Sequence, residues 1–249
     1  MENILFLYEG IFRKPRLWSN RELKKIAHLF KGSVVNVSAW KDYDKSVKYK
    51  DYIFGDYDSG ELYRSYFVNA EKYTITNHPN CRKGNGGSES ITLDLEKELP
   101  REFENKFDVV FNHTVLEHIF DVFKAFENLC HMSKDVVILV APFIQKVHYS
   151  EEYGDYWRFT PQALDQMFKR NGFTVLHRSS SNLFQSSIYY FYVASRHPEK
   201  WSHLFQVKDI NEQLGRINTG NNVFIFGTLH LKLEMLIRKL LGFLKIKNN

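Results

Sequence analysis

The segment FDVVFNHTVLEHIFD, Phe107 to Asp121, carries a strand, a turn and a helix start in quick succession. Phe107–Phe111 is the continuous apolar, β-branched and aromatic run of a strand covered on both faces. Such a strand would leave Asn112 and His113 at its carboxyl edge, where open α/β sheets bind their ligands. Thr114-x-x-Glu117 has the form of a capping box. Val115, Leu116, Ile119, Val122, Phe123, Phe126 and Leu129 then recur at helical spacing through HTVLEHIFDVFKAFENLCHMS. The pattern predicts a helix opened by Thr114 and Glu117 in structural roles, with His118 facing either the cleft or solvent.

Outward from this segment the same alternation repeats. Strand-like runs lie at Ser33–Ser38, Tyr73–Asn77, Ile91–Leu93, Val136–Ala141, Phe173–His177 and Ile188–Ser195. A helix is predicted over 19–31, with Ser19-x-x-Glu22 as its capping box, Leu23, Ile26, Ala27 and Phe30 as its apolar stripe, and Gly32 as its C-terminal cap. Thr160-Pro161 starts another helix and Asn171-Gly172 stops it. Strands alternating with helices predict an α/β, Rossmann-like sheet of seven mostly parallel strands with helices on both faces. The domain is expected over 1–197, with 198–249 as a C-terminal helical extension. Residues 41–70, rich in Tyr and Asp, read as an insertion or as an ordinary helix and loop.

Bulk composition narrows the function classes. A net charge of +5 is compatible with anionic substrates or a membrane surface, and does not point to nucleic acid as a partner. Cys81 and Cys130 have neither the number nor the spacing of a disulfide framework or a zinc site, so a reducing, cytoplasmic setting is expected. MENILFLYEGIF lacks a basic start and is broken by Glu9, which makes it a poor signal peptide. No run approaches eighteen uninterrupted apolar residues. No His, Asp or Glu cluster has metal-ligand spacing along the chain, and no metal is expected.

The first strand leads into VVNVSAWKDYD, Val34 to Asp44, with no glycine between Gly32 and Gly55. No G-x-G-x-x-G follows any strand, which counts firmly against a nicotinamide dehydrogenase. CRKGNGG, Cys81 to Gly87, lacks the Lys-Ser/Thr ending of a phosphate loop and reads as a connection.

Taken together, FDVVFNHTVLEHIFD, VILVAPF and YGDYWRFTPQALDQMFKRNGF resemble the class I S-adenosylmethionine-dependent methyltransferases. More narrowly, they resemble a small-molecule methyltransferase group found in bacterial surface-polysaccharide gene sets. The resemblance spans about Gly32 to Ser195. It implies S-adenosylmethionine as cofactor and a small hydroxylated acceptor, such as a sugar or glycan precursor. It places the cofactor loop on Asn36, Val37, Ser38, Ala39 and Trp40, the ribose contact on Asn77, the adenine contact on Asp94 with Leu95, and the residue after the fourth strand on His113. The chain departs from that pattern in two ways: the loop glycines are absent, and Asn77 stands where the family has a carboxylate. A non-Gly residue in left-handed geometry costs about 1–2 kcal/mol, and a lost neutral hydrogen bond about 0.5–1.5 kcal/mol. Those departures weaken binding by about one to two powers of ten without abolishing it. They also keep open the alternative of a catalytically inactive binding or scaffold protein.

Methyl transfer to a hydroxyl needs alignment and benefits from a base. The candidates are His148, Tyr153, Asp155 and Arg158 in the loop after the fifth strand, with His118 opposite. His148 is the better base by position, and the Arg158 fork suits an anionic substrate. Arg158 could equally pair structurally with Asp155, and Trp157 and Phe159 could be core plugs. At the far end, residues 229–247 form a basic amphipathic helix, with Leu229, Leu233, Leu236, Ile237, Leu240 and Leu244 in its stripe. Packing on its own domain or a homodimer seam ranks first for it, and peripheral contact with the inner membrane face second.

Overall fold

The computed structural model describes residues 16–39, 42, 61–80, 90–143, 145, 147–151, 153–183, 186–205, 233 and 236–237. Helix α1 (Arg16–Ile26) precedes β1 (Gly32–Val37), β2 (Ala70–Asn77), β3 (Ser90–Thr92) and β4 (Phe107–His113). Helix α2 (Val122–Met132) leads into β5 (Ser133–Pro142), and α3 (Pro161–Arg170) into the hairpin β6 (Thr174–Leu183) and β7 (Ser186–Ser195). The sheet order is β3-β2-β1-β4-β5-β7-β6. All neighbours are parallel except β7, which runs antiparallel to both β5 and β6. The chain reverses direction across the sheet between β1 and β4, which makes their carboxyl ends the crevice in which such folds bind ligands.

The pleat sends neighbouring side chains to opposite faces, and both faces are covered. Val34, Val109, Phe111 and Ile138 meet Leu23, Ala27 and Phe30 at the α1 side. Val35, Val110, Val137 and Leu139 meet Phe126 and Leu129 of α2 and Leu164 and Phe168 of α3 on the other. Phe126 and Phe168 cross edge-on at 4.9 Å. Each fully buried Leu or Phe contributes about 1.5–3 kcal/mol, which is why these strands need no alternating polar face.

Helix α3 begins and ends where local sequence places it. Thr160 Oγ1 accepts from Ala163 N at 3.2 Å, Pro161 follows, and Gly172 takes φ +76°. The other two helix starts differ from expectation. Ser19 lies inside α1, where its hydroxyl bonds the Arg16 carbonyl and His113 instead of capping. Gly32 opens β1 at φ +75° and does not cap α1, which passes through a 3-10 turn at Ala27–Leu29 into extended Phe30. The Thr114 capping box is likewise overturned. Strand β4 continues to His113, paired with Val140, and Thr114 turns out at φ +51°. Leu116–His118 form only a 3-10 turn without a side-chain cap. Helix α2 starts later, with Asp121 Oδ1 accepting from Lys124 N. The physical reason is a tertiary tie: the Glu117 carbonyl accepts from Tyr156 N at 2.7 Å and Trp157 N at 3.3 Å, so it is not available to an α-helical ladder.

Residues just past 197 pack on the sheet: Trp201 meets Phe30 at 5.2 Å and donates to Asp135. Of residues 229–247 only Leu233, Leu236 and Ile237 are described, all helical. Trp40, most of 41–60 and the CRKGNGG segment lie outside the described residues. Among the described residues, no helix is long and apolar enough to cross a membrane.

Candidate functional site

The carboxyl ends of β1, β2 and β4 and the loop after β5 bring most of the expected residues to one edge of the sheet. Ser38 leaves β1 at φ +57°, the left-handed geometry that glycine ordinarily supplies. Its amide donates to Thr76 Oγ1 at 3.1 Å, and the Ala39 amide to the Thr76 carbonyl at 3.0 Å. The glycine-less loop thus makes its turn with both amides tied to β2. Asn36 is buried and donates to Asp42 Oδ1 at 2.8 Å. Tyr73 Oη donates to the same oxygen at 2.7 Å, and the Arg64 amide to Asp42 Oδ2 at 3.2 Å. Burial pushes the Asp42 carboxyl up, against the pull of Tyr73 and Asn36. Asp42, which sequence reasoning missed, locks the loop to the strand beside it.

Asn77 ends β2 and donates to Ser90 Oγ at 2.8 Å. Asp94 accepts from the Glu96 amide at 2.9 Å and has His78 Nε2 at 3.7 Å. Leu95 is buried, its carbonyl held by Asn128. His113 faces α1: its ring nitrogens meet Ser19 Oγ at 2.9 Å and Arg16. Its neighbour Asn112 points the opposite way, donating to the Val37 carbonyl, and Asn112 Oδ1 has no hydrogen-bond partner among the described residues.

The second group of residues lies beyond β4 and β5. Asp155 Oδ2 accepts from the His148 amide at 2.7 Å, and Arg158 grips both Asp155 oxygens, at 2.6 and 2.7 Å. Burial raises the Asp155 pKa, but the Arg158 and His148 bonds outweigh it and hold the carboxyl below its usual range. His118 meets the His148 ring edge-on at 4.8 Å and Tyr153 at 4.6 Å, and its Nδ1 bonds the Gly154 carbonyl at 2.6 Å. Burial lowers the His118 pKa, against the pull of the Gly154 hydrogen bond, and so favours the neutral imidazole. The five residues expected from the sequence, His118, His148, Tyr153, Asp155 and Arg158, therefore do lie in one cluster. The structural pairing of Arg158 with Asp155 is also real.

Sequence reasoning misassigned Glu117. Its side chain is 0% exposed, and neither carboxylate oxygen has a hydrogen-bond partner among the described residues. Burial pushes the Glu117 carboxyl up to about 8. The sequence signal was an acid directly before a histidine at the edge of the fourth strand, and its capping-box spacing masked it. The cluster Glu117, His118 and His148 has ligand atoms within 4.8 Å of one another, so the absence of metal-ligand spacing along the chain did not carry over into space.

No protein-family model and no curated protein matches this chain. Solved structures do resemble it. A Listeria monocytogenes protein assigned as an S-adenosylmethionine dependent methyltransferase is 11% identical, with 72% of this chain and 97% of that one covered, at a TM-score of 0.51. A Clostridium acetobutylicum S-adenosylmethionine-dependent methyltransferase is 10% identical, covering 78% and 98%, at 0.49. The Burkholderia thailandensis 1,6-didemethyltoxoflavin-N1-methyltransferase, solved with 1,6-didemethyltoxoflavin and S-adenosylhomocysteine, is 13% identical, covering 78% and 88%, at 0.48. With the strand order above, the likeness to the Listeria protein shows that this chain has the Rossmann-like fold of the class I methyltransferases.

Proposed function

We propose that the chain is an S-adenosylmethionine-dependent methyltransferase acting on a small hydroxylated acceptor of the sugar or glycan-precursor class. The observation that carries this reading is the convergence of His118, His148, Tyr153, Asp155 and Arg158 beside the crevice at the carboxyl edge. A domain used only as a scaffold has no need of a polar and aromatic cluster there.

The residues present fit such a cofactor. Ser38 adopts the turn, Asn77 and Asp94 offer polar groups at the ends of β2 and β3, and the buried Asn112 Oδ1 is an acceptor without a partner among the described residues, suited to an amino group. When bound, S-adenosylmethionine supplies an electrophilic methyl group. On the protein's side, the His118–Gly154 bond fixes the tautomer, so that His118 Nε2 carries the ring lone pair that can take up a proton or a cation. Arg158 holds Asp155, and Asp155 in turn holds the His148 backbone in place.

Calorimetric titration with S-adenosylmethionine and S-adenosylhomocysteine tests the reading, with equilibrium dialysis as the check for a vanishing enthalpy. Micromolar affinity supports it and justifies a screen of sugar acceptors. No binding at millimolar ligand would favour the second reading, an inactive binding protein. The observation on that side is that the amides of Ser38 and Ala39 and the ring of His113 are already engaged within the protein.

A further inference from the structure

We propose that Glu117, His118 and His148 form a binding site for one divalent transition-metal ion of the zinc class. Their ligand atoms lie within 4.8 Å of one another. Glu117 Oε1 is 3.8 Å from His118 Nε2, and Glu117 is wholly enclosed. His118 donates Nδ1–H to the Gly154 carbonyl, which leaves the lone pair of Nε2 facing Glu117. Two electron-pair donors thus meet at a distance too long for a shared proton to bridge them as a hydrogen bond. A cation between them satisfies both.

The surroundings have the form that supports metal-bound imidazoles. His148 Nδ1 lies 3.4 Å from Asp155 Oδ2, and the Arg158 fork holds Asp155 in place. A carboxylate behind a histidine and a backbone carbonyl behind another are the usual partners that orient such ligands. The Arg16 and Arg158 charges act on Glu117 through space, but neither hydrogen-bonds its carboxylate.

Ligand type selects the ion. Two imidazoles and one carboxylate with a side left open match zinc sites that keep a position for substrate, whereas magnesium and calcium favour all-oxygen shells. Bonds of about 2.0–2.2 Å place tetrahedral ligands about 3.3–3.5 Å apart, so the site contracts on binding. The side chains of His118 and His148, 19% and 32% exposed, have room to make that movement. Resting on the proposed methyl transfer, the open position would take the acceptor hydroxyl. The ion would acidify it, the imidazoles would serve as ligands, and the proton would pass to water.

The test uses tag-free protein dialysed against chelator, without S-adenosylmethionine. Zinc is titrated by calorimetry and cobalt by visible absorption. The expected result is one ion per chain with a micromolar or tighter Kd, and cobalt bands of four- or five-coordinate intensity. His148→Ala and Glu117→Gln should each weaken binding at least tenfold, while His131→Asn on the exposed face of α2 leaves it unchanged. Absence of one-per-chain binding, or His148→Ala binding as tightly as the parent, overturns the site. The half-exposed His148 decides the matter even where Glu117→Gln folds poorly. Cofactor affinity is measured separately, so failure of the metal site and failure of the methyltransferase reading are distinguishable.

Discussion

Ser19 Oγ lies 2.9 Å from His113 Nε2, so a helix that precedes the first strand holds the imidazole at the end of the fourth. Arg16 reinforces the joint by donating to Thr114 Oγ1 at 2.7 Å. Ser19 is fully buried, and removing its hydroxyl leaves His113 without that partner. Ser19→Ala should cost about 1 kcal/mol and lower the melting temperature by about 2–4 °C in a domain of this size. Urea unfolding checks it; an unmoved midpoint would mean the bond contributes nothing net.

Arg158→Lys keeps the charge but loses the two-pronged grip on Asp155. The Asp155 side chain is enclosed, so a single-point contact leaves part of its hydrogen bonding unmet. A loss of about 1.5–3 kcal/mol is expected, together with reduced turnover once an acceptor is known. Full stability with reduced turnover would instead make Arg158 a substrate contact.

Gly32 and Gly172 both have positive φ but different surroundings. A Cβ on Gly32 would sit 2.4 Å from Asp108 Oδ2, whereas one on Gly172 meets Arg196 Nη1 at an ordinary 3.5 Å. Gly172→Ala should cost about 1–2 kcal/mol from backbone strain alone. Gly32→Ala should cost more, because Asp108 also bonds the Ser33 amide and hydroxyl and would be displaced. Equal unfolding midpoints for the two variants would contradict this ordering.

Burial raises the Glu22 pKa, but the His177 imidazole 3.8 Å away and the hydrogen bonds from Lys25 and Ser179 outweigh it and bring the carboxyl down to about 2. The sign follows from the ordinary value of 4.5: the ionised group stabilises the fold above that pH, and the contribution is lost as pH falls from 4.5 through 2. At neutral pH it is worth up to about 3 kcal/mol. Glu22→Gln should lower stability at pH 7 and flatten the pH dependence of unfolding between 4.5 and 2. Parallel urea curves at pH 7, 4 and 2.5 for the parent and the variant measure it.

The alternation that predicts an α/β sheet was legible because it is local. Val34-Val35, Val109-Val110 and Val136-Val137 are covered on both faces, and continuous apolar runs record that directly. Thr160-Pro161 and Gly172 bound α3 for the same reason, since a cap satisfies groups within one turn of itself. The two false capping boxes show the limit. Ser19 and Thr114 have the right spacing, but α1 and β4 meet each other there, and their hydroxyls bond across that contact.

The sequence by itself determined the class of sheet, its strands, and the loop from which His148, Asp155 and Arg158 come. Side-chain period and turn chemistry act over a few residues, and one chain displays them without knowing its partners. Only the tertiary structure decided what Glu117 and Asp42 do. Whether a carboxylate is solvated, paired or enclosed depends on segments far along the chain: Gly154 and Tyr156 for the Glu117–His118 turn, Tyr73 and Arg64 for Asp42. Burial and the field of distant charges set the chemistry of such groups, and neither is a property of local sequence.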